Sequence, residues 1–171
     1  FSTPTRTNVS ELVVTAHGAP KVTTPEDLAG REVFVRKSSS YYESLVSLNA
    51  SLAARQRPLV QIKEAPEALE DDDILEMVNA GLVGTTVMDD FMVEFWKQVF
   101  PDIQVQPAAF RTGGELAIGV RKNNPLLRQA VNDWIKQVAA RSAFANVLNR
   151  RYLQNTTYLK FLDNQLHLYV P

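Results

Sequence analysis

Between Arg31 and Phe100 three strand-like runs alternate with three helical ones, and this order constrains the chain more than anything else in it. "REVFVR" (31–36), "LVQIKEA" (59–65) and "LVGTTVMD" (82–89) are short, rich in β-branched residues and bounded by turn residues. After the first comes a segment with Tyr41, Leu45, Leu48 and Leu52 at helical spacing, so those four form one buried stripe. Pro66 opens an acidic-fronted stretch with Ile74, Met77 and Val78 inward and Gly81 as its stop. "DFMVEFWKQVF" follows the third strand, with Met92, Trp96 and Val99 on one face. Strands separated by helices and joined by short connections predict an α/β fold: a parallel sheet with right-handed crossovers and ligand chemistry at the strands' carboxyl ends.

The flanks are less regular. "ELVVTA" (11–16) is a strand candidate, and Thr24-Pro25-Glu26-Asp27 reads as a capped single turn closed by Gly30. "GGELAIGVRK" (113–122) reads as a strand led by two glycines. Asn124-Pro125 then starts a long helix with Leu127, Val131, Trp134 and Val138 in line, and "SAFANVLNRRYL" reads as another before a polar tail. At 171 residues, 45 % hydrophobic and 22 % charged, the chain suits one domain or two small lobes. A net charge of −1 and no interleaving of basic and aromatic residues argue against a nucleic-acid partner. No run approaches the ~18 apolar residues of a membrane-spanning segment. The absence of cysteine removes disulfides, thiol catalysis and thiolate metal sites. A chain beginning at Phe1 is expected to be a mature product, a processed fragment or a trimmed piece. The sequons at Asn8, Asn49 and Asn155 are read as chance.

Three serines, Ser38 to Ser40, stand where the first strand meets its helix. Ser40-x-x-Glu43 fits a capping box, which leaves Ser38 and Ser39 over. A helix N-terminus offers free N–H groups and a positive dipole end, with Arg36 and Lys37 adjacent, so the stretch is either a cap alone or a cap joined to an anion site. At the same sheet edge Asp89-Asp90 ends the third strand. Asp90 is expected to cap the next helix and Asp89 to project, where it would accept from an ammonium group. Both together suit a zwitterion, an amino acid or a peptide; two solvated caps are the plainer alternative. "EDDD" (70–73) lacks calcium-loop spacing and is explained by its helix N-terminus. His17 and His167 stand in no ligand-spaced motif, and no catalytic triad, Walker motif or dinucleotide fingerprint is present. No catalytic residue, metal ligand or cofactor is therefore assigned.

These stretches resemble a known family. "FSTPT" looks like the "FSxPY" crossover of the family 3 periplasmic solute-binding proteins, and "DLAGREVFVRKSSS" is similar to their strand and small-polar G-[ST]-[ST] loop. "GTTVMDD" resembles their "DAVVVDD"-type strand end, and "GGELAIGVRKNNPLLRQAVNDWI" their return strand and first helix. The wording is more similar still to the solute-binding module of membrane-bound lytic transglycosylase F and related proteins. The resemblance runs from Phe1 to about Tyr152. It implies a periplasmic-binding-protein-like fold and a hinge-closing, non-catalytic receptor in a bacterial periplasm, possible membrane anchoring belonging to the full-length protein. Residues 9–108 would be a second lobe, and 1–8 with 109–171 the hinge strands and the C-terminal part of a first lobe. Ser39 and Ser40 would face a ligand carboxylate and Asp89 an α-amino group, with Ser38 and Tyr41 also among the ligand-binding residues. Two departures stand out: Ser38 replaces the usual glycine, and the family's first half-lobe is missing. Without that half-lobe or a partner chain, the helix at 124–140 would expose its apolar stripe. A regulatory fragment of a lytic transglycosylase, or an interaction domain that has lost its ligand, is the alternative. Glu43, in "YYESL", sits in an echo of a transglycosylase acid motif, but the residues that should follow it are absent.

Overall fold

A computed structural model describes residues 1–140. The described residues divide into two compact units, Asn8–Gly114 and Phe1–Thr7 with the described residues from Glu115 onward. Strands β1 (Pro4–Thr15), β2 (Glu32–Arg36), β3 (Gln61–Ala65), β4 (Thr85–Asp89) and β5 (Gln104–Ala117) are interleaved with helices α1 (Ser40–Ala54), α2 (Asp71–Asn79), α3 (Asp90–Trp96) and α4 (Pro125–Ala140). A 3₁₀ turn, Pro25–Leu28, precedes β2, with Thr24 capping it and Asp27 accepting from the Thr23 and Thr24 N–H groups.

In the Asn8–Gly114 unit, β2 and β3 pair in parallel from Glu32↔Gln61 to Arg36↔Ala65. The third strand of the alternation departs from the expected parallel sheet. β4 packs beside β2, where the Thr86 hydroxyl donates to the Phe34 carbonyl at 2.8 Å, but its ladder runs antiparallel to β1. The sheet order there is β4-β1-β5, so a strand from before the alternation covers the edge of β4. That is what a strand with four successive buried residues, Thr85 to Met88, requires on its open side.

The core lies between these strands and the helices. Tyr41, Leu45, Leu48 and Leu52 are all buried, as the α1 spacing predicts, and pack with Val33, Val35, Val87 and Met88. α2 begins at Asp71 rather than near Pro66, because Leu69 N–H closes a turn on the Pro66 carbonyl and Glu70 becomes the cap, its N–H donating to Asp73 at 2.7 Å. The later start turns Leu75 inward with Ile74 and Val78 and leaves Met77 half-buried. α3 stops at Trp96, buries Val93, and continues as turns that stack Phe100 on Trp96 at 5.4 Å. Asn49 of α1 accepts from Val60 N–H at 2.7 Å and donates to its carbonyl at 3.0 Å, fixing the chain that leads into β3.

β5 starts and ends earlier than the strand expected at 113–122: it begins at Gln104 and runs through Gly113-Gly114 to Ala117. Gly113 has φ +71°, which a side chain disfavours, and a Cβ on Gly114 would meet the Val9 carbonyl oxygen at 3.0 Å. Buried Gln106 ties the unit together, accepting from Val22 N–H and donating to the Thr15 hydroxyl.

In the other unit, Ser2 N–H donates to Ile118 O at 2.9 Å and Thr3 N–H to the Asn132 side chain of α4 at 2.8 Å. Asn124 caps α4 by accepting from Leu127 N–H. Of the expected α4 stripe, Leu127 and Trp134 are exposed, Trp134 by 55 %, and Val131 is half-buried. The Val138 side chain, the expected helix "SAFANVLNRRYL", the tail, Asn155 and His167 lie outside the described residues. Among the described residues no helix is long and apolar enough to cross a membrane, and no group of acidic and histidine side chains is placed to hold a metal.

Candidate functional site

The β2–α1 junction is built differently from its sequence reading. Ser39, not Ser40, is the N-cap: its hydroxyl accepts from Tyr42 N–H at 3.3 Å and donates to the Arg36 carbonyl at 2.7 Å. With the helix one residue earlier, Tyr42 occupies the third helical position, and the Ser40–Glu43 box does not form. Ser40 is exposed at the first helical position. Glu43 turns instead toward Arg111 on β5, at 3.7 Å.

Ser38 is also engaged. Its N–H and hydroxyl both donate to the Glu67 carboxylate, at 3.1 and 2.5 Å, and the hydroxyl foremost holds that carboxyl below the usual range. The two cations expected to assist an anion are turned away from it. Arg36 pairs with Asp71 at 2.5 Å and reaches Glu70 at 3.5 Å, and Lys37 pairs with Glu64 at 3.2 Å.

At the end of β4 the helix starts one residue earlier than expected: Asp89 occupies the N-cap position of α3 but makes no side-chain cap, and Asp90 is the first helical residue. The Asp90 carboxylate accepts from Ser10 N–H at 3.0 Å and from Phe91 N–H. Asp89 stands beside Tyr41, whose buried hydroxyl accepts from the Asp89 N–H at 3.2 Å. Burial, then Glu11, Asp90 and Asp71, push the Asp89 carboxyl up to about 6, against the Tyr41 hydroxyl, which favours the ionised form. Burial likewise pushes the Tyr41 phenol up.

One participant was missed from the sequence. Glu11 of β1 lies opposite Asp89 in the antiparallel ladder and is 5 % exposed. The Ser44 hydroxyl of α1 donates to it at 2.6 Å, and Arg111 of β5 approaches to 3.9 Å. Its signal was there: a carboxylate heading the apolar run "ELVVTA", at a position that alternation turns inward. The carboxyl end of the unit thus carries Asp89 beside Glu11 on neighbouring strands, with Tyr41 and Ser44 of α1 over them and the exposed Ser40 at the helix start. Such an arrangement suits a cationic group at the aspartate and hydrogen-bond acceptors at the serines.

No family model matches the chain. Its fold is that of the periplasmic solute-binding proteins. It superposes on an ancestral arginine-binding protein bound to arginine with a TM-score of 0.70, at 18 % identity, covering 89 % of this chain and 63 % of that one. For a putative L-cystine ABC transporter from Listeria monocytogenes the TM-score is 0.72, at 16 % identity, covering 90 % and 62 %. In sequence the chain is similar to part of membrane-bound lytic murein transglycosylase F. It is 29 % identical over 148 residues to that protein of Pseudomonas syringae pv. syringae (strain B728a) and 30 % identical over 139 residues to that of Desulfosudis oleivorans (strain DSM 6200 / JCM 39069 / Hxd3). These matches take in 84 % and 80 % of this chain but only 28 % and 29 % of the relatives' own length.

Proposed function

We propose that residues 8–114 are the ligand-binding half of a non-catalytic solute-binding or sensory module that recognises an amino acid or a cell-wall peptide in the bacterial periplasm. The observation that carries this reading is Asp89: a half-buried carboxylate at a strand end, without a cation of its own among the described residues, beside the start of α1. Asp89 is the ligand for an α-amino group. Ser40 with the free N–H groups of the first turn of α1 receives the carboxylate, Ser39 holds that turn in place as its cap, and Tyr41 orients Asp89 by accepting from its N–H. That Ser38 already holds the Glu67 carboxylate supports the loop's capacity for such a group. The amino-acid-binding proteins of like fold point the same way.

A second reading is favoured by the similarity to lytic murein transglycosylase F: a regulatory domain within a peptidoglycan-cleaving protein, its ligand a muropeptide. Under either reading, polypeptide outside this chain, a preceding half-lobe or a partner, covers Leu127 and Trp134 of α4.

Calorimetry of the longest natural form of the protein against the common amino acids and muropeptides is the test. Heat with an amino acid, lost in Asp89→Ala while the melting temperature holds, supports the first reading, and heat with muropeptides alone supports the second. Silence across both panels, or an Asp89→Ala protein that binds as before, sinks the assignment of Asp89.

A further inference from the structure

Glu11 and Asp89 pair directly across the β1–β4 ladder. Residues so placed have Cβ atoms about 5 Å apart on one face of the sheet, and like charges there are destabilising. The fold nonetheless fixes the Glu11 carboxylate from two sides. Ser44 donates to it at 2.6 Å from α1, and Arg111 stands 3.9 Å away on β5. Ser44 lies one helical turn beyond Tyr41, so one face of α1 supplies a hydroxyl to each acidic residue. Packing does not need the charge, since a glutamine would fill the same space and still accept from Ser44.

We propose that Glu11 is a positioning residue for the amine subsite: it holds a second negative charge against Asp89 and so sets the pH range in which Asp89 accepts an ammonium group. This rests on the reading of Asp89 as an amine ligand. The groups that face Asp89 are Glu11 from β1, Tyr41 from α1, Asp90 from α3, and Asp71 of α2 with its partner Arg36 of β2; Arg111 of β5 stands beyond Glu11. Above pH 6 the ionised Asp89 carboxylate attracts a cation. As pH falls through about 6, Asp89 takes a proton and the ammonium group loses its partner.

The test is a carboxyl ¹³C NMR titration of Asp89 in the full chain, which needs no ligand. Glu11→Gln should lower the Asp89 midpoint by about one unit, and Arg111→Gln, which uncovers Glu11, should raise it. An unmoved midpoint in a folded Glu11→Gln protein overturns the proposal. Should that variant not fold, an unmoved midpoint in Arg111→Gln overturns it equally. The binding arm uses whichever amino acid gives heat in calorimetry: the acid limb of its affinity profile should move down by about one unit in Glu11→Gln. A midpoint that moves while no amino acid gives heat keeps the coupling and sinks only the amine reading.

Discussion

Asp89 is kept protonated to a higher pH than an ordinary aspartate, and this has a sign. Its carboxyl is raised in the folded chain from an ordinary 3.8 to about 6, so the native state binds the proton more tightly than the unfolded state does. The ionised form therefore costs stability above pH 6, and that cost disappears as pH falls below about 4. Asp89→Asn should stabilise the protein at pH 7.5 by about 1 kcal/mol, reduced for partial exposure, with the gain vanishing near pH 4; urea unfolding at the two values checks it. The serines separate just as cleanly. Ser39→Ala should cost about 1 kcal/mol through loss of the cap, whereas Ser40→Ala should stay within about 0.5 kcal/mol, measured in the same way. The sequence displayed the serine run and the aspartate pair as places of interest, but not which serine caps α1 or which aspartate stands at the N-cap position of α3. A shift of one residue in a helix start changes which hydroxyl caps, and which acid projects is decided by a distant backbone N–H, that of Ser10.

At the level of elements, the buried stripe of α1 and the alternation from β2 to α3 were legible because a period of 3.6 or 2 survives any small error in the ends. The ends were not. The start of α2 depends on a competition between Pro66 and Glu70 that Asp73 decides by accepting from the Glu70 N–H. The start of β5 was misplaced because two glycines that read as the head of a strand sit inside it, where Val9 approaches Gly114 closely. Replacing Gly114 with alanine should therefore cost about 1–3 kcal/mol, where a glycine in an open turn such as Gly84 would cost far less; thermal unfolding of both variants distinguishes them. Asn49→Ala should also be costly, about 1–3 kcal/mol, because it strips the partners from both backbone groups of buried Val60.

For the molecule as a whole, the sequence conveyed an α/β chain with a ligand edge, while the partnership of β1 with β4 and β5 could not be read from local pattern. Pairing between strands some seventy residues apart leaves no periodic trace, which is why Glu11 was overlooked although its own strand was recognised. The compactness of Asn8–Gly114 predicts that this stretch expressed alone unfolds cooperatively and gives a dispersed amide spectrum; a broad, non-cooperative melt would contradict it.

The same ladder has a consequence during synthesis. β1 leaves the ribosome before the rest of its unit, and both of its neighbours, β4 and β5, come near the unit's end. Until β4 is translated, the hydrogen-bonding edges of β1 stay open, and closing so long a loop adds an entropic cost that local helices never meet. β2, α1 and β3 can assemble first, leaving β1 as a waiting strand whose apolar Val13 and Val14 favour contact with other chains. The final ladder, and with it the meeting of Glu11 and Asp89, is then a late event in folding, dependent on nearly the whole unit being in place.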